Sequence, residues 1–263
     1  MAQAPNPFDQ QKPIEGIHNI ICVASGKGGV GKSTVSANLA AALAAKGMRV
    51  GLLDADIYGP SIPRMYGCLG QKPEVDENNR IQPLERHNVK IMSIGFLIDE
   101  EAAVVWRGPM LFKAIDQFLR DVEWGELDVL LIDLPPGTGD IPLSIVQKTP
   151  VQGAVVVSSP QNVALADVKK SFDMFDRLNI PCMGLIENMS YFLNGEEKIE
   201  MFPRGELDQY IEKKKLEKLA EIPFHPPVSA AAEMGIPAVI AQKDLASSQA
   251  FMNVAEKLKN QLV

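Results

Sequence analysis

One stretch constrains this chain more than any other: Gly26-Lys27-Gly28-Gly29-Val30-Gly31-Lys32-Ser33-Thr34. It satisfies the pattern G-x-x-x-x-G-K-[ST], with Gly26 and Gly31 as the outer glycines and Ser33 as the hydroxyl. The apolar run Ile20-Ile21-Cys22-Val23-Ala24 precedes it and reads as a buried strand. An alanine-rich stretch from Val35 to Lys46, free of Gly and Pro, follows and reads as a helix ending at Gly47. A loop held between strand and helix in this way is suited to cradling phosphate. Glycine permits positive φ and close backbone approach, so successive N–H groups can turn toward polyphosphate oxygens. The helix start brings its positive dipole end to the same place. Lys32 is a flexible point charge for the β- and γ-phosphates, and Ser33 can ligate Mg²⁺. A nucleotide is therefore expected against Gly26, Gly28, Gly29, Val30, Gly31, Lys32, Ser33 and Thr34. Lys27 is a second lysine inside the loop. Charge alone leaves two readings of it open, a solvated loop lysine or a cation facing a large negative charge.

Carboxylates stand where a phosphate-binding loop needs them. Arg49-Val50-Gly51-Leu52-Leu53-Asp54 reads as a second parallel strand that completes a βαβ unit and runs into Asp56. Ligands of open α/β sheets lie beyond the carboxyl ends of the strands. Asp56 is thus the candidate to orient an attacking water or to reach Mg²⁺ through water, although Asp also serves turns and caps. Asp128-Val129-Leu130-Leu131-Ile132-Asp133 is an apolar strand ending in a second carboxylate. Asp133 is expected beside Ser33, holding Mg²⁺ directly or through water. The following Leu134-Pro135-Pro136-Gly137-Thr138-Gly139-Asp140 pairs stiff prolines with free glycines, as a loop answering to a γ-phosphate would.

Further strands are expected over Gly153–Ser158 and Cys182–Glu187, with Asn188 at the end of the second. Its amide can pair with the edge of adenine. A guanine reader carries N-K-x-D, a pattern that Met189 and Tyr191 break, so the expected nucleotide is ATP. Glu221-Ile222-Pro223 ends a short strand, and Pro223 with His225-Pro226-Pro227 is expected to wall the adenine pocket. Helices are expected over Met110–Arg120, Asn162–Leu178, Glu206–Leu219 and Ser247–Val263, and a loop or small hairpin over Leu193–Arg204. The run Lys213-Lys214-Lys215 reads as a solvated face.

The 263 residues suffice for one large α/β domain, here residues 17–263 behind a polar, proline-bearing tail over 1–16. The net charge of −7 argues against a protein that grips nucleic acid nonspecifically, and no apolar run is long enough to span a bilayer. Neither nucleic acid nor membrane is an expected partner. Cys22, Cys68 and Cys182 are widely spaced and odd in number, which reads as buried thiols in a reducing cytoplasm.

The loop G-K-G-G-V-G-K-S-T resembles the deviant phosphate loop of the MinD/ParA/nitrogenase-iron-protein class of ATPases. Together with L-D-A-D-I-Y-G-P-S-I-P, I-D-L-P-P-G-T-G-D, P-Q-N-V-A-L-A-D-V and I-E-N-M-S-Y-F, it is similar to the Mrp/ApbC group over about residues 15 to 260. That resemblance implies a MinD-like α/β fold with a mostly parallel sheet flanked by helices. It implies a homodimer that hydrolyses ATP and assembles iron–sulfur clusters or passes them to apo-proteins. It implies that Lys27 reaches the partner's nucleotide, so the expected catalytic set is Lys27, Lys32 and Asp56. The chain departs from the group at one place. Where a C-P-x-C segment follows N-M-S-Y-F in the family, this chain reads Phe192-Leu193-Asn194-Gly195-Glu196-Glu197-Lys198. Iron–sulfur clusters need soft thiolates, so cluster holding by the usual motif is not expected. Two other readings stay open on the residues: a positioning ATPase of the MinD/ParA sort, and a cluster-free, ATP-dependent binding module.

Overall fold

The computed structural model describes residues 13–97, 108–195, 197–203 and 205–262. Most of the tail expected over 1–16 lies outside them, but Ile14 is buried in the core, and Leu127 N–H donates to the Gly16 carbonyl.

Nine strands form one sheet: β1 (Ile20–Ser25), β2 (Val50–Asp54), β3 (Leu84–Arg86), β4 (Val89–Ser93), β5 (Val129–Asp133), β6 (Gly153–Ser158), β7 (Cys182–Asn194), β8 (Glu197–Ile199) and β9 (Lys218–Phe224). Their order is β3-β4-β2-β5-β1-β6-β7-β8, with β9 also paired to β7. Pairing is parallel throughout the middle, and antiparallel only at β3–β4 and in the β7–β8 hairpin. The central strands are buried on both faces, which is why they read as unbroken apolar runs and not as alternating ones.

Nine α-helices are described: α1 (Lys32–Ala45), α2 (Ile62–Met65), α3 (Gly108–Arg120), α4 (Asp140–Lys148), α5 (Asn162–Arg177), α6 (Leu207–Lys214), α7 (Pro226–Glu233), α8 (Ala238–Ala241) and α9 (Ala246–Leu262). They divide between the two faces. On one, Ile115, Phe118, Val168, Phe172 and Phe175 of α3 and α5 pack on Ile20, Cys22 and Ile132. On the other, Leu39 and Leu43 of α1 and Phe251, Val254 and Leu258 of α9 pack on Ile21, Val23 and Leu131. Helix α1 is buried nearly all round, so its alanine content serves close packing against the sheet and α9 at once.

Two expectations need correction. The strand expected to end at Glu187 continues to Asn194, because beyond a bulge at Met189 (φ 53°) it pairs again with β9 at Phe192–Phe224 and with β8. The helix expected over Glu206–Leu219 ends at Lys214. Lys215 turns left-handed (φ 54°), which frees Lys218 and Leu219 to begin β9. Arg107 lies outside the described residues, as do the side chains of Leu111, Phe112 and Val163. No helix among the described residues is long and apolar enough to cross a membrane.

Phe175 is fully buried under the sheet, so Phe175→Ala is expected to cost about 3–5 kcal/mol in urea unfolding. The exposed Lys213 should change stability by no more than about 0.5 kcal/mol on truncation. Equal losses from the two would contradict this division of core and surface.

Candidate functional site

The C-terminal ends of β1, β2 and β5 meet at the start of α1. Strand register sets the first condition, since Asp54 of β2 is directly opposite Asp133 of β5, and both follow buried apolar runs. The side chain of Lys32, at the first position of α1, lies over these carboxylates. Its Nζ is 2.8 Å from Asp133 Oδ1 and 3.5 Å from Asp56 Oδ2, with the lysine only 6% exposed. Ser33 Oγ donates to Asp133 Oδ2 at 2.6 Å, and Ser36 Oγ donates to Asp133 Oδ1 at 2.6 Å. Burial alone would favour the neutral form of Lys32, but the Asp133 and Asp56 carboxylates outweigh it and hold its pKa above the ordinary lysine value. Asp56 is shifted upward by burial, against the opposing pull of Lys32. Asp54 is pushed up to about 7 by its complete burial and by Asp133, with Lys32 again acting the other way.

The loop itself has the backbone shape that phosphate requires. Gly29 and Gly31 have φ of 80° and 79°. A Cβ on Gly31 would fall 2.3 Å from Asn188 Nδ2, and one on Gly26 would fall 2.3 Å from the carbonyl carbon of Asp167 on α5. Gly31 is therefore required by contact as well as by conformation, and Gly26 by contact. Asn188 lies where β7 passes the loop, and its Nδ2 donates to the Val30 carbonyl at 2.9 Å. One of its two amide protons is committed there, which leaves the second N–H and the Oδ1 acceptor. Asn188 and Gly31 border a cleft with Thr34, Pro223, His225 and Phe251. The geometry thus brings Gly31, Thr34, Asn188 and Pro223 to one place, and Lys32, Ser33, Asp56 and Asp133 to an adjoining one. Lys27 belongs to neither cluster. Its Nζ donates to Gln161 Oε1 at 3.3 Å, at the rim beside the start of α5, while its carbonyl accepts from Ser25 Oγ.

The residues fit a nucleotide with Mg²⁺. Magnesium is usually bound by one or two protein oxygens plus substrate phosphates, and not by a dedicated cage. Ser33 and Asp133 form such a pair. Among the described residues no group of three or more His, Cys, Asp or Glu is arranged to hold a metal ion.

Sequence reasoning left four participants without a role. Ser36 was legible in principle, since it lies four residues after Lys32 on the same helix face. Gln161 carried no signal that separated it from an ordinary turn residue, and Asp54 was legible as a strand-end carboxylate but not in its contacts. Glu187 is a buried carboxylate that accepts from Ser190 Oγ and from Lys218 Nζ, which also binds Asp208 and Glu221. That network joins β7 to β9 and α6 directly beside Asn188. Because Gly31 is restricted twice over, Gly31→Ala is expected to weaken nucleotide binding at least about tenfold and to cost about 1–3 kcal/mol of stability. Titration with a fluorescent adenine nucleotide and thermal unfolding would read the two effects.

The family described as ParA, NUBPL iron-transfer P-loop NTPase, matches residues 16–259. An iron-sulfur cluster carrier protein of Aquifex aeolicus is 47% identical over 255 residues, spanning 96% of this chain and 70% of the relative. The mouse iron-sulfur cluster transfer protein NUBPL is 45% identical over 257 residues, spanning 96% and 80%. Among solved structures, a nucleotide-binding protein of Archaeoglobus fulgidus in complex with ADP superposes with a TM-score of 0.74 at 39% identity, covering 88% of this chain and 90% of that one. The cell division ATPase MinD of Pyrococcus furiosus, at a TM-score of 0.68 and 24% identity over 93% and 99%, shares the fold. With its phosphate-type loop, buried lysine and paired strand-end carboxylates in place, the chain belongs to the ParA family of NUBPL iron-transfer P-loop NTPases.

Proposed function

We propose that this protein binds and hydrolyses Mg²⁺-ATP as a homodimer and uses the cycle in moving iron–sulfur clusters to apo-proteins. The observation that carries the catalytic part is the buried arrangement of Lys32, Ser33, Asp56 and Asp133. A triphosphate offers Lys32 the same negative charge that Asp133 and Asp56 supply, so the lysine can turn from carboxylate to phosphate without losing its counter-charge. When bound, Mg²⁺ neutralises charge on the β- and γ-phosphate oxygens. The backbone N–H groups from Gly28 to Thr34 hold the phosphates, and Ser33 with Asp133 fixes the cation's side of the site. Asp56 orients a water for in-line attack. The bond from γ-phosphorus to the bridging oxygen breaks, ADP leaves with that oxygen, and the water's proton is released with phosphate. By the family likeness, Lys27 leaves Gln161 to reach the nucleotide of the second subunit, and the 134–140 loop relaxes after hydrolysis.

Adenine is the favoured base, because Asn188 Oδ1 can accept from its 6-amino group and the N-K-x-D pattern of a guanine reader is broken by Met189 and Tyr191. The relatives named as cluster carriers and transfer proteins support the cargo, and free thiols suit a reducing cytoplasm. The cluster's thiolates, however, do not come from this chain's hairpin. Burial pushes the Cys22 thiol up strongly, the Cys68 thiol up as well, and the Cys182 thiol up to about 12. At no more than roughly 3.3 Å per residue, the 13-residue β7 places Cys182 at the opposite end of the strand from Asn194 at the hairpin, at most about 40 Å away. We therefore assign cluster ligation to a partner or client, with this chain supplying the nucleotide-driven change.

Asp56→Asn is expected to lower kcat for ATP by about 100-fold with ATP affinity retained, whereas Lys32→Ala should abolish binding. Absence of ATP turnover in the purified wild-type dimer would end this reading. Anaerobic reconstitution with iron and sulfide should leave the protein colourless, and addition of an apo-acceptor and a loaded donor should make cluster transfer ATP-dependent. A stable brown holo-dimer of this chain alone would reverse the assignment of ligands.

A further inference from the structure

Asp54 is a fully buried carboxylate that the hydrolytic scheme above does not use. It is the last residue of β2, with Asp133 opposite on β5 and Ser93 opposite on β4. Each of its hydrogen bonds is accepted from a donor. Oδ1 accepts from Asp56 N–H at 3.1 Å, while Oδ2 accepts from Ile62 N–H at 3.2 Å and from Ser93 Oγ at 3.0 Å. One carboxylate therefore brackets residues 56–62, taking the backbone N–H at both ends of the loop that presents Asp56. The hydroxyl of Ser93 also accepts from Gly95 N–H at 3.0 Å, which ties the bracket to the chain leaving β4. The Asp56 side chain is held in turn by Tyr58 N–H on Oδ1 and lies near Lys32 on Oδ2. A strand terminus would ordinarily leave these donors to water; here they converge on a group shielded from it.

We propose that Asp54 is a positioning residue for hydrolysis, holding the Asp56 carboxylate in line with the attacking water by bracketing the 56–62 loop, with Ser93 as its anchor. The proposal rests on the ATPase reading and adds residues to that site. Acceptor-only chemistry is what the position demands. An amide could satisfy the donors on one oxygen only and would turn its own N–H₂ toward the others. Displacement of a reacting group by about 1 Å can cost on the order of 100-fold in rate, so a loosened loop should appear in kcat and not in nucleotide affinity.

The test is Mg²⁺-ATP turnover by the full chain, with equilibrium ATP binding measured alongside, for wild type, Asp54→Asn, Ser93→Ala, Asp56→Asn and the double variant Asp54→Asn/Asp56→Asn. Asp54→Asn is expected to lower kcat about 10- to 100-fold while its ATP dissociation constant stays within about twofold, and Ser93→Ala to lower kcat by a smaller factor. The double variant should be no slower than Asp56→Asn alone, since a residue acting through Asp56 has nothing left to position. A Trp124→Phe variant, which removes a buried hydrogen bond to the Phe118 carbonyl and touches neither Asp54 nor Asp56 through a hydrogen bond, should lose stability without losing kcat. If Asp54→Asn does not fold, Ser93→Ala and Ser93→Ala/Asp56→Asn form the same cycle. Unchanged kcat in the single variants, or multiplicative losses in the double, would overturn the proposal while leaving the ATPase reading intact. No turnover by wild type would overturn both.

Discussion

The structure turns on a buried ammonium. Lys32 is almost wholly removed from water, and such a group is tolerated only when opposite charge is fixed beside it. Asp133 supplies that charge at 2.8 Å and Asp56 completes it. Neither carboxylate could do so without the sheet. Asp133 and Asp54 arrive at the same level because β2 and β5 pair in parallel and in register, and α1 begins where β1 ends between β5 and β6. The packing of α1 against the sheet and α9 keeps the lysine from moving out to solvent. Core, register and site are thus one constraint seen at three scales.

Strand β7 links two regions that would otherwise be independent. Its middle clamps the phosphate-type loop through Asn188 and Val30, and its end forms the hairpin with β8. Between them lies a bulge at Met189, and the Glu187–Ser190–Lys218 contacts lock that bulge to β9 and α6. Where the resemblance to the Mrp/ApbC group implies thiols, Glu197 to Ile199 forms an exposed edge that ends in an exposed isoleucine. The chain keeps the phosphate-type loop and its strand-end carboxylates, and the paired part of its β7–β8 hairpin, Phe192 to Ile199, carries no cysteine among the described residues.

Gln161 gives the second lysine of the loop a defined place. Charge alone did not distinguish a solvated Lys27 from a functional one, and the contact with the start of α5 shows it held within its own subunit at the rim. A single hydrogen bond from an ammonium to a neutral amide oxygen is worth at most about 1.5–3 kcal/mol. A phosphate in a partner subunit, offering full charge, would outcompete it.

Much of the chemistry was legible in local order along the chain. Gly26 to Thr34, the apolar runs ending in Asp54 and Asp133, and Asn188 before Met189 are recognisable because each role demands particular residue types at short spacing. The family likeness extended that reading to the α/β fold and the cargo. Local order did not reveal where β7 ends, because its continuation depends on pairing with β9 and β8, which are distant in sequence. Nor did it reveal that Glu206–Leu219 splits into helix and strand, since Leu219 joins the core only once β9 lies beside β7. Asp54, Ser36, Gln161 and Glu187 gained their meaning from neighbours 2 to 134 residues away. Sequence by itself determined which ligand chemistry the chain could offer, because that resides in residue types and short spacings. Tertiary structure decided which carboxylates share one lysine and which one brackets the loop, because distance and burial are properties of packing.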